Sequence, residues 1–418
     1  MSPLERSSLA IAARDARGFR SLPELADAPL LFRTALRAMA RNWEAGRLTF
    51  VTPRGAPLPL QGALPGPDAI VQIKDYRFIR RALFAGDIGF AEAYVAGEWD
   101  TPDLTAVLSA FALNFERLKL VTEGNALAGL ANRVFHALNA NTREGSRKNI
   151  HAHYDLGNAF YSRWLDPSMT YSSARFAYPG QPLVEAQANK YRSLAEEMGL
   201  AADHHVLEIG CGWGGFAEFA AKEVGARVTG VTISQEQYDF AVRRMFEQGL
   251  NEKVEIRLVD YRDIEGQFDR VASIEMFEAV GERYWPTYFD KIRDVLAPGG
   301  RAGLQIITIQ DRMFEGYRRR ADFIQRYIFP GGMLPSEARL KDETTRAGLA
   351  WTGIARFGRD YADTLAAWRR AFEGGWDDIR RLGFDERFRR LWQFYLAYCD
   401  AGFRTGRTDV VQLGLAKA

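Results

Sequence analysis

An apolar run that breaks into clustered glycines constrains the fold of this 418-residue chain more than any other segment. Residues 206–209 have the composition of a buried strand, residues 210–215 contain four glycines, and residues 216–222 follow with a helical pattern. Glycine permits positive φ and lets a ligand approach the backbone closely. A strand that passes into a helix through such a loop is typical of nucleotide-type cofactor sites. We therefore expect a cofactor at this turn, where a side chain at Gly210 or Gly212 would obstruct it.

The end of the next predicted strand, residues 228–233, separates two classes of cofactor. A dinucleotide-binding enzyme usually places an acidic residue there to bind the ribose. This chain has Thr232, Ser234 and Gln237 instead, and Glu208 stands immediately before the glycines. The arrangement is similar to that of S-adenosylmethionine methyltransferases rather than NAD enzymes. The resemblance implies that Glu208 holds the charged amino group of the cofactor.

Composition excludes several other classes of protein. The net charge is +2, from 55 basic and 53 acidic residues, so no overall positive charge indicates nucleic-acid binding. Cys211 and Cys399 are the only cysteines, and their spacing suggests neither a disulfide framework nor a metal site. Charged residues interrupt the first thirty positions, and no later segment is apolar enough to span a membrane. These features predict a cytoplasmic protein without a structural metal.

The length and the 47% hydrophobic content predict two domains. We expect a small α+β accessory domain in residues 1–125, with strands at 48–52 and 69–74, and a polar linker in residues 126–148. Residues 149–418 should form the catalytic domain. Its apolar segments alternate with helical intervals, which indicates a parallel sheet with the C-terminal third as covering helices. The predicted strands are residues 206–209, 228–233, 254–259, 270–274 and 302–308.

Three further groups of motifs make the resemblance specific. They are residues 151–158 with 165–172, residues 277–281, and residues 326–336. Together with the glycine turn, they resemble the cyclopropane-fatty-acyl-phospholipid synthases. The resemblance implies a Rossmann-like class I methyltransferase with a mostly parallel seven-stranded sheet. It also implies that the N-terminal domain is associated with lipid or membrane.

The implied reaction transfers a methyl or methylene group from S-adenosylmethionine to a double bond of an unsaturated acyl chain in membrane phospholipid. An alkene is a poor nucleophile, so its carbons must be held in line with the sulfonium methyl in a dry pocket. Attack leaves a carbocation. Proton loss from the added methyl closes a cyclopropane, whereas loss from the chain gives a methyl-branched or methylene unsaturated product. The resemblance also implies peripheral contact with the inner face of the membrane, and homodimerisation.

The resemblance assigns the cofactor-binding residues by motif. Tyr171 and Ser172 are expected to contact the methionine part, Gln237 to face the ribose, and Asp260 to border the adenine. The full implied set is Tyr171, Ser172, Glu208, Gly210, Gly212, Gly214, Thr232, Ser234, Gln237, Asp260, Tyr261 and Arg262.

Members of the family hold a bicarbonate ion as the base, and this chain departs from their pattern. Glu278 and Ile307 match the family's Glu and Ile, whereas Ser173 replaces Cys, Gln305 replaces His, and Arg369 is matched to Tyr. These five residues are the expected catalytic set, with Glu275 as a weaker candidate. Serine, glutamine and arginine can each donate to an oxyanion. Two interpretations stay open: bicarbonate binding survives and the ring closes, or the base has moved and a methylated alkene forms.

The membrane contact and the substrate class each allow a second interpretation. Residues 318–320 are arginines beside Phe314, Tyr317 and Phe323, a combination that suggests either a membrane-binding surface or a solvated helix face. Besides lipid methylation, the fold would suit a small-molecule C-methyltransferase or a non-catalytic lipid-binding relative.

Overall fold

The computed structural model describes residue 25, residues 28–122 and residues 156–417. The chain divides into two compact units. Met1–Leu130 and Asp385–Thr405 form unit 1, and Ala131–Phe384 and Gly406–Ala418 form unit 2. The sequence assigned all of residues 149–418 to one domain, whereas the structure groups Asp385–Thr405 with unit 1. The predicted linker, residues 126–148, lies outside the described residues.

Eleven strands are found within the described residues. In chain order they are β1 (Ala45–Val51), β2 (Pro57–Gln61), β3 (Leu64–Ile73), β4 (Trp99–Asp100), β5 (His205–Ile209), β6 (Arg227–Thr232), β7 (Val254–Leu258), β8 (Phe268–Ile274), β9 (Leu296–Ile309), β10 (Leu349–Arg356) and β11 (Thr408–Lys417).

The α-helices of the same part of the chain are α1 (Leu30–Asn42), α2 (Arg77–Val95), α3 (Leu104–Thr122), α4 (Asn158–Tyr161), α5 (Leu183–Glu197), α6 (Gly215–Phe219), α7 (Gln235–Glu247), α8 (Trp285–Val295), α9 (Asp311–Tyr317), α10 (Phe323–Tyr327), α11 (Glu337–Arg346), α12 (Gly358–Gly374), α13 (Trp376–Arg381) and α14 (Glu386–Arg404). A π-helical turn, Ala220–Val224, extends α6, and 3₁₀ turns lie at Tyr261–Asp263, Phe277–Ala279 and Glu282–Tyr284.

Unit 1 is a four-stranded sheet with helices. Its strand order is β2-β1-β3-β4, with β1 and β3 parallel and the other neighbours antiparallel. Helix α14 belongs to this unit although it lies near the C-terminus, and Arg390 on α14 donates to the carbonyl oxygens of Tyr94 and Trp99. The predicted α+β character of the N-terminal region is therefore present, with strands at β2 and β4 that were not predicted.

Unit 2 is built on a seven-stranded sheet of order β10-β11-β9-β8-β5-β6-β7. Strands β9, β8, β5, β6 and β7 are parallel neighbours, whereas β11 runs antiparallel to β9 and to β10. The chain order reverses beside β5, which is where open α/β sheets bind ligands at the carboxyl ends of their strands. The expected class I fold with a mostly parallel seven-stranded sheet is confirmed.

Apolar side chains cover the sheet of unit 2 and fix its register. One cluster includes Leu207, Val271 and Leu304 with the aromatic residues of α8, and a second includes Val206, Val228 and the alanines of α6 and of the π-helical turn after it. Adjacent residues of β5 thus pack in different clusters, as the two-residue period of a strand requires. The five predicted strands of the parallel part match β5 to β9. Strands β10 and β11 were not predicted, because the C-terminal third was expected to be helical.

Across residue 25, residues 28–122 and residues 156–417, no helix is long and apolar enough to cross a membrane.

Candidate active site

The glycine turn lies at the carboxyl end of β5. Gly210, Gly212 and Gly214 all have positive φ, at 78°, 53° and 84°. A Cβ at Gly212 would have no described heavy atom within 4 Å, so this position opens onto space, as the sequence predicted for a cofactor cleft. A Cβ at Gly210 would instead lie 2.6 Å from Cγ of Met276, so glycine is needed there for packing rather than to clear the cofactor.

Glu208, the penultimate residue of β5, carries a buried carboxyl group. Ala217 donates its backbone N–H to this carboxyl, whereas Oε2 is buried without a hydrogen-bond partner among the described residues. Burial raises the pKa of Glu208 to about 8, and the nearby Lys190 opposes that shift. A buried acceptor without a donor is costly unless a ligand supplies one. The amino group of S-adenosylmethionine is a suitable donor, and Gly212 leaves room beside it, so these residues fit the implied cofactor.

Thr232, Ser234 and Gln237 form a local network where β6 passes into α7. Thr232 Oγ1 donates to Gln237 Oε1 at 2.8 Å and accepts the N–H of Ser234 at 3.1 Å. The side chain of Ser234 caps α7 by accepting the N–H of Gln237. The three residues contact one another, and Ser234 has a structural role as a helix N-cap.

Asp260, Tyr261 and Arg262 follow β7. Arg262 holds both oxygens of Asp260, with nitrogen–oxygen distances of 2.8 and 2.6 Å. The Tyr261 ring packs edge-on against Tyr288, and burial raises the pKa of its hydroxyl to about 12. The bidentate pair orients the Asp260 carboxylate and engages both its oxygens.

Tyr171 and Ser172 lie beside a lysine that the sequence analysis missed. Nζ of Lys190, on α5, donates to Ser172 Oγ at 2.7 Å, and the Lys190 side chain is fully buried. Burial lowers its pKa to about 7, against the opposing attraction of Glu275, Asp166 and Glu208. The Tyr171 ring packs against Tyr161, Trp164 and Trp368. A lysine among the buried positions of an amphipathic helix was the available clue to Lys190.

Four of the five predicted catalytic residues, namely Ser173, Glu278, Gln305 and Ile307, assemble with Glu275. Glu275 Oε1 accepts the backbone N–H of Ser173 at 2.8 Å and Nε2 of Gln305 at 2.8 Å, and Oε2 accepts the hydroxyl of Tyr361 at 2.6 Å. Glu278 Oε1 accepts the backbone N–H of Ile307 at 2.5 Å, and its Oε2 is buried without a described partner. The weaker candidate, Glu275, thus receives more hydrogen bonds than Glu278.

The side-chain amide of Gln305 is oriented by Gln412 on β11. Gln412 Nε2 donates to Gln305 Oε1 at 3.1 Å, which leaves the Gln305 NH₂ group for Glu275. Gln412 Nε2 also donates to the carbonyl oxygen of Lys190. Because β11 was not predicted as a strand, nothing in the residue pattern indicated that Gln412 approaches this site.

Tyr361, eight residues before Arg369 on α12, donates a hydrogen bond to the carboxyl pair. Eight helical residues correspond to about 12 Å along a helix axis, which separates Arg369 from Tyr361 by that distance. Tyr361 is thus the tyrosine that contacts Glu275, and the match of Arg369 to the family's tyrosine stays a prediction.

The two carboxyl groups differ in their protonation. Burial, and to a smaller extent repulsion from Glu275, raise the pKa of Glu278 to about 8. Burial also raises the pKa of Glu275, but three hydrogen bonds and the charge of Lys190 oppose that shift. Both side chains lie deep in the protein and retain some exposed surface, as groups that line a cleft do. Of the two carboxyl groups, Glu275 has the donors that stabilise a negative charge, whereas Glu278 has fewer donors and favours the protonated form.

The expected bicarbonate site does not fit these contacts. The Gln305 amide and the Ile307 N–H donate to glutamate carboxyls, and the Ser173 hydroxyl donates to the carbonyl oxygen of Ala174 at 2.9 Å. Three of the predicted donors, those of Ser173, Gln305 and Ile307, are therefore engaged by groups of the protein itself.

The predicted membrane cluster near residue 318 differs from its expected form. Phe314 and Phe323 are buried, so they are not part of an aromatic surface. Arg318 pairs with Glu282 at 2.8 Å and with Glu315 at 3.2 Å. This cluster is a salt-bridged helix surface over a packed interior.

Fold and site together define a class I S-adenosylmethionine-dependent methyltransferase, with the glycine turn and Glu208 at the switch point of the sheet. The chain belongs to the mycolic acid cyclopropane synthetase family, whose model matches residues 141–413.

Named relatives and solved structures agree with this assignment. The chain is 41% identical over 346 residues to the tuberculostearic acid methyltransferase UfaA1 of Mycobacterium tuberculosis, covering 81% of each protein. It is 34% identical to the cyclopropane-fatty-acyl-phospholipid synthase of Escherichia coli, covering 84% of this chain and 87% of that protein. The mycolic acid cyclopropane synthase CmaA1 complexed with SAH and CTAB superposes with a TM-score of 0.61 at 28% identity, covering 65% of this chain and 98% of that one. The protein is accordingly an S-adenosylmethionine-dependent methyltransferase that acts on double bonds of fatty-acid or lipid chains.

Proposed function

We propose that this enzyme methylates a double bond of an unsaturated acyl chain in membrane phospholipid and that the product forms through a carbocation. The observation that carries the proposal is the buried carboxyl pair Glu275 and Glu278, held at the carboxyl end of β8 close to the glycine turn. The pair combines a charged carboxylate with a protonated one, which suits a reaction that generates positive charge and then releases a proton.

S-Adenosylmethionine, when bound, supplies an electrophilic methyl group on a sulfonium sulfur. The alkene π pair forms the new carbon–carbon bond while the sulfur–methyl pair stays on sulfur, and the neighbouring chain carbon is left cationic. Glu208 and Ser172 are assigned to the amino acid end of the cofactor, the latter held by Lys190. Gly212 leaves room for the cofactor, while Thr232, Gln237 and the ordered Asp260 carboxylate are assigned to its nucleoside end.

The position from which the carbocation loses a proton determines the product. A carbon–hydrogen bond breaks, and its electron pair closes a ring if the proton leaves the new methyl, or forms a double bond if it leaves the chain. The methylated alkene is our first candidate, because the relative at 41% identity is named as a methyltransferase. The cyclopropane is the second, because the relative at 34% identity is named as a cyclopropane synthase acting on phospholipid.

The membrane and the oligomer are further parts of the proposal. Acyl chains of phospholipids are reached at a bilayer surface, so we propose peripheral membrane contact at the inner face. Sedimentation with anionic and neutral vesicles tests it, with Arg319→Gln and Arg320→Gln as variants of exposed arginines. Homodimerisation is also part of the proposal, and only the family resemblance supports it. Light scattering of the purified protein tests it.

Mass spectrometry of lipids from cells that express the protein and receive methyl-labelled methionine tests the reaction. Extracts are compared before and after catalytic hydrogenation. A labelled acyl chain that takes up hydrogen is the methylated alkene, and one that gains a CH₂ unit and resists mild hydrogenation is the cyclopropane. Labelling of phospholipid-bound chains rather than free acids supports the phospholipid substrate.

A matched control distinguishes loss of catalysis from loss of folded protein. Cells that express Glu208→Gln should show little labelled lipid, whereas Glu252→Gln, at an exposed position, should give the wild-type pattern. If the wild type labels no lipid although the purified protein binds S-adenosylmethionine, a small-molecule methyltransferase or a non-catalytic lipid-binding protein gains support.

A further inference from the structure

The carboxylate of Glu275 occupies a complete set of oxyanion donors. It accepts from the Ser173 N–H, the Gln305 amide and the Tyr361 hydroxyl, with donor–acceptor distances of 2.6 to 2.8 Å. These donors come from three separate parts of unit 2: the loop after residue 171, strand β9 and helix α12. Such a convergence on one carboxylate is the arrangement expected of an anion-binding site.

The backbone of Glu275 indicates that this carboxylate is retained at a cost. Its φ is 50°, one of two positive values at non-glycine residues in the described chain. The left-handed region costs an ordinary residue about 1–2 kcal/mol, and glycine would avoid that cost. Backbone strain of this kind occurs mainly at functional sites, where contacts from the surrounding structure hold the strained conformation in place. Here those contacts are the three donors to the side chain.

The same donors act on the acidity of Glu275. Burial raises the pKa of this carboxyl, whereas the hydrogen bonds from Tyr361, Ser173 and Gln305 and the charge of Lys190 lower it. A carboxyl group whose pKa is raised and whose oxygens are held in place is suited to accept a proton. Lys190 also donates to Ser172, at the expected cofactor site.

From these contacts, we infer that the Glu275 side chain is the base of the reaction and takes the place of a bound bicarbonate ion. The inference rests on the proposed function and deepens it. After methyl transfer, a carbon–hydrogen bond breaks either on the new methyl group or on the chain carbon next to the cationic carbon. Its electron pair closes the ring in the first case and forms a double bond in the second. The proton passes to Glu275, which becomes a neutral acid and later loses that proton to solvent.

The inference predicts opposite responses to bicarbonate in two forms of the enzyme. Wild-type methylation of unsaturated phospholipid vesicles should be the same in bicarbonate-free buffer and after addition of bicarbonate. Glu275→Gly removes the carboxylate, keeps the positive φ without strain and leaves the three donors without it. Its turnover should fall by roughly 10²–10⁴-fold, the contribution of a positioned base. Added bicarbonate should raise the turnover of Glu275→Gly at least tenfold.

Glu275→Gln is the matched control for the space that Glu275 fills. Its amide occupies the site without a base, so turnover should fall to a similar extent and bicarbonate should not restore it. Thermal melting of both variants and their affinity for S-adenosylhomocysteine show whether the fold and the cofactor site remain intact. A loss of cofactor affinity equal to the loss of turnover would contradict the inference, because Glu275 would then act through the structure of the site.

A binding measurement gives a readout that does not depend on turnover. Broadening of the ¹³C NMR resonance of labelled bicarbonate should be seen with Glu275→Gly plus S-adenosylhomocysteine, and not with the wild type or Glu275→Gln. Bicarbonate binding to the wild type, or wild-type activity that requires it, would overturn the inference while leaving the proposed reaction in place. A wild type that methylates no acyl chain and binds no bicarbonate would overturn the proposed function instead.

Discussion

The hydroxyl of Tyr361 donates to Oε2 of Glu275 at 2.6 Å, which joins helix α12 to the carboxyl end of strand β8. The two residues are separated by 86 positions in the chain. Their contact fixes the orientation of the carboxyl group that receives three hydrogen bonds.

Tyr361→Phe should lower turnover about tenfold or more with little change in affinity for S-adenosylmethionine. It removes one hydrogen bond to a charged group, worth roughly 1.5–3 kcal/mol, and no contact to the expected cofactor site. Steady-state kinetics with separate calorimetric binding measure the two effects. The comparison variant is Arg369→Ala, for which we expect the smaller loss of turnover. A larger loss in Arg369→Ala would restore the original sequence match.

Glu208→Gln should weaken S-adenosylmethionine binding by about 10- to 100-fold, because a charged acceptor of the cofactor's amino group becomes a neutral amide. Isothermal titration calorimetry measures the affinity. The melting temperature should not fall, since a buried carboxyl with one unpartnered oxygen is replaced by a neutral group of the same shape. Equal affinity in the two proteins would remove Glu208 from the cofactor site.

Gly210→Ala and Gly212→Ala should affect different properties although they differ by two positions. Both place alanine at positive φ, with a similar cost of about 1–2 kcal/mol. Only the first drives a Cβ to 2.6 Å from Met276 Cγ, so its melting temperature should fall further. Gly212→Ala should mainly reduce cofactor affinity. Gly210→Ala combined with Met276→Ala tests the clash, because the second change should recover part of the lost stability.

The stability of the wild type should decrease between about pH 5 and pH 8 more steeply than that of Glu278→Gln. The folded pKa of Glu278 is raised from 4.5 to about 8, so the protonated form favours folding. That contribution is fully present below the unfolded pKa and is lost as the pH rises through the folded pKa. Glutamine has no such proton to lose. Thermal unfolding of both proteins across this range measures the difference, and parallel curves would show that Glu278 ionises normally.

The sequence determined the parallel core and the position of the cofactor turn. Hydrophobic runs with β periodicity can be recognised from adjacent residues alone. The glycines between β5 and α6 can be recognised in the same way, because the turn there needs residues that adopt positive φ. The same local information identified Glu208, Ser173, Glu278 and Gln305 through motifs. It did not predict β10 and β11, since these antiparallel strands are stabilised by pairing with β9 and with each other.

Tertiary structure decided which residues surround each carboxyl group and how many hydrogen bonds it receives. Lys190, Gln412 and Tyr361 lie on α5, β11 and α12, and no spacing in the sequence relates them to Glu275. Hydrogen bonding and burial depend on which distant segments meet, so local residue patterns cannot specify a pKa or a donor set. The sequence therefore identified the chemistry of the cofactor, whereas folding placed the Ser173, Gln305 and Tyr361 donors around Glu275.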